Sequence, residues 1–217
     1  MQRRQFIQSA AALPALVAVA GAGELPETIA LPKPQTQGGK PLMQALAGRK
    51  TTREIGEKRL SPQMLSNLLW AAFGVNRPGG NRTAPSAMNV KEMDIYAFLP
   101  EGIYLFDANV HSLKPILAGD HRAESGTQPD VGKAGVSLLY VADFDKYGTR
   151  VADPAMRTAC SNAHAGFIAQ NVYLFAASEG LASWFRAFVD SAALAKLLNL
   201  RPSQKVLYSH GVGFPVG

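Results

Sequence analysis

The sequence is nearly free of cysteine: Cys160 is its only one in 217 residues. A single cysteine cannot close an intramolecular disulfide, so the fold must be stabilised by its apolar core. Cysteine and histidine do not recur at the spacing of a zinc site either. The four histidines form no motif: they are His111, His121, His164 and His210. We therefore expect no metal site.

The sequence also lacks a block of basic charge. Its 22 lysines and arginines exceed its 16 acidic residues and give a net charge of +6, but they are scattered along the chain. Nucleic-acid binding favours a clustered basic stripe with aromatic residues among it, and neither is present. We expect no nucleic-acid partner. A site for a small anionic ligand fits this distribution better.

The N-terminus has the pattern of an export signal. Arg3 and Arg4 are followed by one variable residue and then Phe6, which is typical of the twin-arginine pathway. The apolar stretch from Ala10 to Ala22 is shorter than the roughly 18 residues that span a bilayer. We predict a signal peptide over residues 1–22 and a periplasmic or otherwise exported protein. An amphipathic N-terminal helix or an uncleaved anchor is the alternative.

Residues 23–40 are rich in proline, glycine and glutamine and predict an extended arm before a domain over residues 41–217. A short helix from Pro41 should stop at Gly48. A second helix should begin at Ser61-Pro62, where serine is an N-cap and proline occupies the first turn, and end at Gly74. The loop Val75–Asn89 is long for a compact domain and is a candidate binding loop.

The remaining pattern is of mixed helices and strands. Met93–Phe98 and Ile103–Phe106 predict a hairpin, and the apolar run Val136–Ala142 predicts a central strand. We expect Ala108–Ala118 to be irregular or weakly helical. His164–Ser178 is apolar almost all round and predicts a helix buried in a core or a subunit interface. Strands are expected over Leu181–Phe185 and Val206–Val212, with a helix capped by Asp190 between them. The order favours the α+β class.

Arg49-Lys50-Thr51-Thr52-Arg53 is the first candidate binding motif. In an extended segment, Arg49, Thr51 and Arg53 face the same way. Two guanidinium groups and a hydroxyl suit a phosphate monoester, which carries close to two negative charges. The motif alone is equally compatible with a basic loop that only faces solvent.

The second candidate motif is Ala84-Pro85-Ser86-Ala87-Met88-Asn89. A flavin ring needs polar contacts along its pyrimidine edge and apolar contacts elsewhere. Ser86 and Asn89 could supply the polar contacts, and Pro85, Ala87 and Met88 part of the apolar wall. The alternative is an ordinary turn in which Asn89 acts as a cap.

Taken together, these segments resemble the nitroreductase family of proteins. The resemblance runs through Ile29–Pro32, Leu42–Arg53, Leu60–Gly74, Arg82–Ala87, Ala169–Leu181, Leu198–Leu200 and Gly211–Pro215. It covers nearly all of the mature chain, in order, and within the family it is nearest to the thiazole/oxazole-forming dehydrogenase type.

This resemblance implies an α+β fold with a mostly antiparallel central sheet flanked by helices, and a homodimer that binds FMN at its interface. It implies that Arg49-Lys50-Thr51 and Arg53 hold the phosphate or ribityl chain. Pro85, Ser86, Ala87 and Asn89 would come from the partner subunit and line the ring. The backbone at Arg186 and Ala187 would meet the reactive edge of the flavin, and His164–Ser178 would be the central dimer helix.

The sequence departs from the family pattern at three points. Ala187 stands where many members have glycine. The chain ends at Gly217, where longer members have a tail that adds a basic phosphate contact, so we expect that contact either to be missing or to be supplied by Arg201 or Lys205. Asn89-Val90-Lys91-Glu92 differs from the dehydrogenase type, which leaves the substrate chemistry open.

The resemblance implies an exported FMN-dependent oxidoreductase that transfers a hydride to or from a small organic substrate. Free nicotinamide cofactors are not expected outside the cytoplasm, so a periplasmic or membrane redox partner would donate the electrons, or an external acceptor would receive them. Lys91 and His164 are the candidates for a catalytic side chain; the alternatives are a surface lysine and a capping or interface histidine. A non-catalytic flavin carrier or other small-ligand module on the same fold is the second hypothesis.

Overall fold

The computed structural model describes residues 25–216. The predicted signal peptide, residues 1–22, lies outside this range. The structure describes most of the arm, which contacts the rest of the domain at several points. Ile29–Ala30 forms a short edge strand, β1, and the side chain of Leu31 is buried. Further along, the backbone N–H of Lys40 donates to Ser178 Oγ at 2.8 Å.

One seven-stranded sheet forms the centre of the fold, in the order β1-β6-β5-β4-β7-β9-β8, and every pairing in it is antiparallel. Val136–Asp143, which is β7, lies in the middle with all eight residues buried. This confirms the predicted central strand. The other strands are β4 Met93–Leu99, β5 Gly102–Asp107, β6 Ser112–Ala118, β8 Ala182–Arg186 and β9 Gln204–Gly213, while β2 Val75–Arg77 and β3 Asn81–Arg82 pair as a separate hairpin.

Among the described residues, four α-helices pack around the sheet: α1 Leu42–Gly48, α2 Pro62–Phe73, α3 Pro154–Glu179 and α4 Ser191–Leu197. Two predicted caps are confirmed. Ser61 Oγ accepts from the N–H of Met64 at 3.2 Å, and Asp190 accepts from the N–H of Ala193 at 2.9 Å. The α+β class is therefore confirmed. Among residues 25–216, no helix combines the length and the apolar character that crossing a membrane requires.

Two local predictions were wrong. Ser112–Ala118 is a strand, although Ala108–Ala118 was expected to be irregular or weakly helical. It pairs with β5 and β1, and a register shift where Pro115 faces Tyr104 accommodates the missing N–H of proline. Helix α3 also begins ten residues earlier than His164, because Asp153 caps it by accepting from the N–H of Ala155 at 2.9 Å.

Helix α3 buries only one face in the single chain. That face packs on the sheet through Ala165, Ile168, Ala169, Val172 and Ala176. The opposite side exposes apolar residues, with Met156 at 53% and Phe167 at 46% of full exposure. In the single chain, α3 is therefore buried on one face only, and not on most sides as the sequence predicted.

Candidate active site

The Arg49–Arg53 segment runs beside strand β8 and is attached to it. The N–H of Thr52 donates to the carbonyl of Ser183 at 3.0 Å. The predicted alternation is observed for its first two members, because both meet Tyr173 on α3. The Arg49 guanidinium lies 5.3 Å from the centre of the tyrosine ring, and Thr51 Oγ1 is 2.9 Å from its hydroxyl. The structure thus brings Arg49 and Thr51 together on one side chain.

Tyr173 is a site residue that the sequence analysis missed. Its hydroxyl also accepts from the N–H of Phe185 at 3.0 Å, so it joins the Arg49–Arg53 segment to both α3 and β8. Its ring lies 4.7 Å from the imidazole of His210. The only signal in the sequence was a tyrosine in an otherwise apolar stretch of helix, and such a residue usually belongs to the core.

The other basic residues of the motif face outward. Arg53 stacks its guanidinium 5.5 Å from the centre of the Trp184 ring. Lys50 is exposed and lines a cavity of about 250 Å³ together with Thr52 and Tyr173. These positions leave the charged ends of the segment accessible beside the Thr51–Tyr173 pair.

Arg186 has the most unusual surroundings of the candidate residues. Its side chain is buried, yet its partners are hydroxyl groups: Nε donates to Ser209 Oγ at 3.0 Å and Nη2 to Ser137 Oγ at 3.2 Å. Gly211 makes the room, since a Cβ there would lie 3.2 Å from Nη2. Burial lowers the pKa of the Arg186 guanidinium to about 10, which keeps it charged at neutral pH.

The positive charges of the arginines beside α3 and β8 are not balanced by nearby carboxylates. Within residues 25–216, no carboxylate lies within 4.0 Å of the guanidinium of Arg49, Arg53 or Arg186. Arg53 and Arg186 both lie against Trp184, the latter at 5.2 Å from the ring centre. Cationic side chains without acidic partners attract anions.

Ala187 follows β8 in an exposed loop whose next residue, Phe188, is 75% exposed. The loop is held from behind, because the carbonyl of Phe188 accepts from the N–H of Thr127 at 3.3 Å. The exposed backbone at Ala187 is compatible with a close approach of a ligand.

Arg201 does not supply the extra phosphate contact that the sequence analysis assigned to it or to Lys205. Its guanidinium is held by the carboxylates of Asp143 at 2.6 Å and Asp145 at 2.9 Å. Lys205 is exposed opposite Ala142, at the same end of the sheet. Arg186 carries the buried positive charge that neither of them provides.

His164 is not free to act as a general acid. An amide N–H can only donate, so His164 Nε2 accepts from the N–H of Ala87 at 2.8 Å. The ring proton therefore lies on Nδ1, which donates to Glu92 Oε1 at 2.6 Å. Both nitrogens are occupied and both side chains are buried. The structure favours the alternative role for His164, that of a residue which positions the backbone.

The segment that His164 holds is strained. Met88, Asn89 and Lys91 all have positive φ, at 49°, 54° and 54°, which costs about 1 kcal/mol or more for each such residue. The Ala87–His164 bond and a bond from the N–H of Lys91 to Ser86 Oγ, at 3.0 Å, maintain this shape. Strain of this kind clusters at functional sites because only surrounding contacts can sustain it.

The side chains of the second motif are partly engaged within the chain. Asn89 Nδ2 donates to Asn81 Oδ1 at 3.0 Å, and Lys91 Nζ donates to the carbonyl of Gly79 at 3.4 Å. Pro85 is exposed, as is Met88 at 64%. Lys91 therefore points toward the β2–β3 hairpin.

The two candidate motifs do not meet within one chain. The segment with Ala87 is attached to His164, and the segment with Thr51 is attached to Tyr173, nine residues further along α3. At 1.5 Å per residue these attachment points are about 14 Å apart. Within residues 25–216, no group of three potential metal ligands lies close enough together to hold an ion.

His210 forms a separate buried polar network behind Tyr173. Its Nε2 is 2.6 Å from Ser183 Oγ, and its Nδ1 is 3.1 Å from the Tyr140 hydroxyl. Burial, with a smaller contribution from the charge of Arg186, lowers the pKa of the His210 imidazole to about 3. The imidazole is neutral throughout the physiological range.

We predict that His164→Leu destabilises the protein by about 3 kcal/mol, because it leaves the carboxylate of Glu92 buried without a partner. The double variant His164→Leu/Glu92→Leu should recover part of this loss, since it removes both partners. Urea unfolding measures both values, and amide exchange at Ala87 should accelerate in the single variant. Lys196→Gln, at an exposed position of helix α4, is the control. Unchanged stability and exchange in His164→Leu would contradict the positioning role.

We also predict a specific acid sensitivity. An unfolded histidine has a pKa near 6.5, so the unfolded chain binds a proton between about pH 6.5 and pH 3 that folded His210 does not. The free energy of unfolding should therefore fall as the pH drops through this window, by about 3 kcal/mol at pH 4.5 from this group alone. His210→Gln should show a correspondingly shallower pH dependence in chemical unfolding. Parallel curves for the two proteins would show that His210 titrates normally.

Known proteins with a similar sequence and a similar structure belong to the nitroreductases. A protein from Methanocaldococcus jannaschii that is described as nitroreductase-like is 31% identical over 150 residues, which covers 64% of this chain and 75% of that protein. A crystal structure of a nitroreductase homologue from Ralstonia eutropha JMP134 superposes with a TM-score of 0.83 at 38% identity. That match covers 88% of this chain and 90% of the other.

A more distant structure has the same fold. The NADPH:FMN oxidoreductase of Vibrio harveyi, in complex with NAD+, has a TM-score of 0.60 at 19% identity and covers 81% of this chain and 69% of its own. The sequence model of the family described as "Nitroreductase family" matches residues 46–214, which include the Arg49–Arg53 segment, all of α3 and the loop at Ala187. The chain belongs to the nitroreductase family and is an oxidoreductase of that family.

Proposed function

We propose that this nitroreductase-family oxidoreductase binds FMN between two copies of the chain and transfers a hydride to or from a small organic substrate outside the cytoplasm. The observation that carries the proposal is that the guanidinium groups of Arg49, Arg53 and Arg186, which lie on side chains of α3 and β8, have no carboxylate partner among the described residues. A hydroxyl pair, Thr51 and Tyr173, lies beside Arg49, and the exposed residue Ala187 follows Arg186.

The chemistry of these residues fits FMN. A phosphate monoester carries close to two negative charges and accepts several hydrogen bonds, and guanidinium groups bind it in a bidentate manner. Arg49 and Arg53 are exposed enough to reach it, while the buried Arg186 presents a fixed charge nearby. In the same fold, the Vibrio harveyi protein is an FMN oxidoreductase.

A second copy of the chain would complete this site. The segment Ser86–Lys91 is attached to α3 at His164, about 14 Å along the helix from Tyr173, so within one chain it does not adjoin the Arg49–Arg53 segment. The exposed face of α3 and the neighbouring α1 are apolar, with Leu42 at 63% and Met43 at 74% exposure. Apolar surface of this kind favours association. A dimer formed through these helices would bring Pro85–Asn89 of one copy to the Arg49–Arg53 segment of the other.

When bound, FMN supplies the two-electron chemistry, and the protein supplies binding, orientation and electrostatics. Arg49, Thr51 and Arg53 bind the phosphate end. Ser86 offers a hydroxyl to the polar edge of the ring. Arg186 stabilises negative charge that develops near the end of β8, because its charge is already desolvated and fixed in place by Ser209 and Ser137.

The N-terminal pattern and the family motifs narrow the proposal further. We assign the export signal to residues 1–22, and we therefore propose a periplasmic or membrane redox partner as electron donor, or an external electron acceptor. On its motifs Ser61–Gly74 and Arg82–Ala87, the chain lies nearest to the thiazole/oxazole-forming dehydrogenase type of this family. No side chain needs to act as a nucleophile in this chemistry.

Substitution in the Arg49–Arg53 segment should weaken FMN binding. Arg49→Gln removes a charge-assisted bond to phosphate, for which we expect an increase in Kd of about 10- to 100-fold. Thr51→Val removes only a neutral hydroxyl and should cost about tenfold or less. Titration of the flavin-free protein with FMN, followed by flavin fluorescence, measures both values.

Arg77→Gln is the matched control for this titration, because Arg77 is exposed on the β2–β3 hairpin, away from the proposed site. Its Kd should equal that of the wild type. If Arg49→Gln and Thr51→Val also retained full FMN affinity, the phosphate would have to bind elsewhere.

Export should depend on the arginine pair. Replacing Arg3 and Arg4 together by lysine should retain the protein in the cytoplasm, because the twin-arginine pathway recognises the pair. Fractionation of cells that express the two proteins measures the distribution. Gln5→Ala changes the variable residue beside the pair and should leave export intact. Equal amounts of the lysine variant and the wild type in the periplasm would contradict the assignment.

A further inference from the structure

A second cationic cavity lies between the β2–β3 hairpin and strands β4 to β6. Its volume is about 200 Å³, and its polar lining consists of Arg82, Lys91, Lys114, Lys146, Asp94 and Asp107, with Asn109 at the edge. None of its lining residues belongs to the Arg49–Arg53 segment, to β8 or to the loop at Ala187. The cavity is therefore separate from the phosphate site proposed above.

Two of the four basic side chains that line the cavity form ion pairs, and the other two have no acidic partner among the described residues. Lys114 Nζ is 2.7 Å from Asp107 Oδ2, and Lys146 Nζ is 2.6 Å from Asp94 Oδ1. Each acidic residue of the lining is thus neutralised by its own lysine. Arg82 and Lys91 remain, and the ammonium group of Lys91 meets only the carbonyl of Gly79, at 3.4 Å.

Arg82 is the residue whose hydrogen-bonding needs are unmet. Its Nη2 donates to Asn109 Oδ1 at 3.1 Å, and its guanidinium lies 5.5 Å from the centre of the Phe73 ring. Within the described part of the chain, the buried Nε and Nη1 have no acceptor. A buried N–H without an acceptor costs about 1–3 kcal/mol, and more when the group is charged. Burial also lowers the pKa of Arg82, against a smaller opposing effect of Asp107.

The carboxylate of Asp107 is not available as an acceptor for Arg82, because both of its oxygens already have partners. One oxygen of Asp107 binds Lys114, and the other accepts from the backbone N–H groups of Asn109 and Val110 at 2.9 and 3.4 Å. The hairpin closes the cavity from the other side. Gly80, at φ 68°, lies so near that a Cβ there would be 3.6 Å from Lys91 Nζ and 3.8 Å from Asn109 Oδ1.

We propose that this cavity binds a small oxyanion, the carboxylate or phosphate group of a small molecule, between Arg82 and Lys91. Such an ion accepts from a guanidinium fork and an ammonium group at once and balances the two remaining charges. A volume of about 200 Å³ corresponds to roughly seven waters at 30 Å³ each, which limits the ligand to a small molecule. The proposal does not depend on FMN binding.

Calorimetric titration of the FMN-saturated wild-type protein with inorganic phosphate, acetate and succinate tests the site. We expect at least one of these probes to bind, and Arg82→Gln to weaken its binding by at least about tenfold. Tighter binding of phosphate identifies a phosphate ligand, and tighter binding of acetate or succinate identifies a carboxylate. The absence of binding by all three probes would overturn the proposal.

Two further variants separate this site from the proposed FMN site. Arg77→Gln changes an exposed arginine of the same hairpin outside the cavity and should bind the probe as the wild type does. Arg49→Gln should also leave the probe affinity unchanged, even if FMN binding is lost. Loss of probe binding in Arg49→Gln with retention in Arg82→Gln would place the anion at the other site and refute the proposal.

A spectroscopic measurement covers the case in which Arg82→Gln does not fold. In the wild-type protein, the Nε–H resonance of Arg82 should shift on addition of the bound probe, because the proposed ligand supplies its missing acceptor. The exposed Arg77 gives the reference resonance. An Arg82 signal that does not move at saturating probe would contradict direct contact with the ligand.

Discussion

The packing of α3 against the central sheet is the contact on which the candidate site depends. Its buried face places Tyr173 beside β8, where the tyrosine hydroxyl holds both Thr51 and the N–H of Phe185. At the opposite edge of that face, His164 contacts Glu92 and Ala87. One helix therefore fixes two candidate segments that are distant in sequence. Their separation on that helix is the reason why the proposed site includes a second copy of the chain.

Two buried charged side chains, Arg186 and Glu92, lack an oppositely charged partner for at least part of their charged group. Arg186 is surrounded by serine hydroxyls and by Gly211, and Glu92 Oε2 has no hydrogen-bond partner among the described residues. An ion in such surroundings costs several kcal/mol relative to water. An evolved fold keeps such groups where they act on a ligand or fix a segment. Arg186 fits the first purpose, and the Glu92–His164 pair fits the second.

Local features of the fold were predictable from the sequence because local physics determines them. Ser61-Pro62 and Asp190 begin helices through bonds to backbone groups three residues away, and Val136–Ala142 is apolar because β7 is covered on both faces. Strand β6 was missed because its pairing partners β5 and β1 hold Lys114 and Pro115 in extended conformation. Tertiary pairing overrides weak local propensity in such cases.

The candidate active site was predictable only in part, because tertiary contacts determine much of it. The family motifs located Arg49–Arg53 and Pro85–Asn89, but the contacts of His164 with Glu92, of Thr51 with Tyr173 and of Arg82 with Asn109 join residues that are far apart in sequence. The spacing of residues along the sequence does not indicate which distant residues form contacts. The sequence therefore left His164 as a candidate proton donor with a capping or interface role as the alternative, and its two occupied nitrogens favour the alternative.

The absorbance spectrum of the purified mature protein shows whether it carries FMN. If FMN binds as proposed, the spectrum has flavin bands that correspond to one FMN for each chain, and this FMN is released on unfolding and recovered when FMN is added back. A colourless protein whose thermal stability does not rise on addition of FMN would refute FMN binding, and would favour another small ligand near Arg49, Arg53 and Arg186.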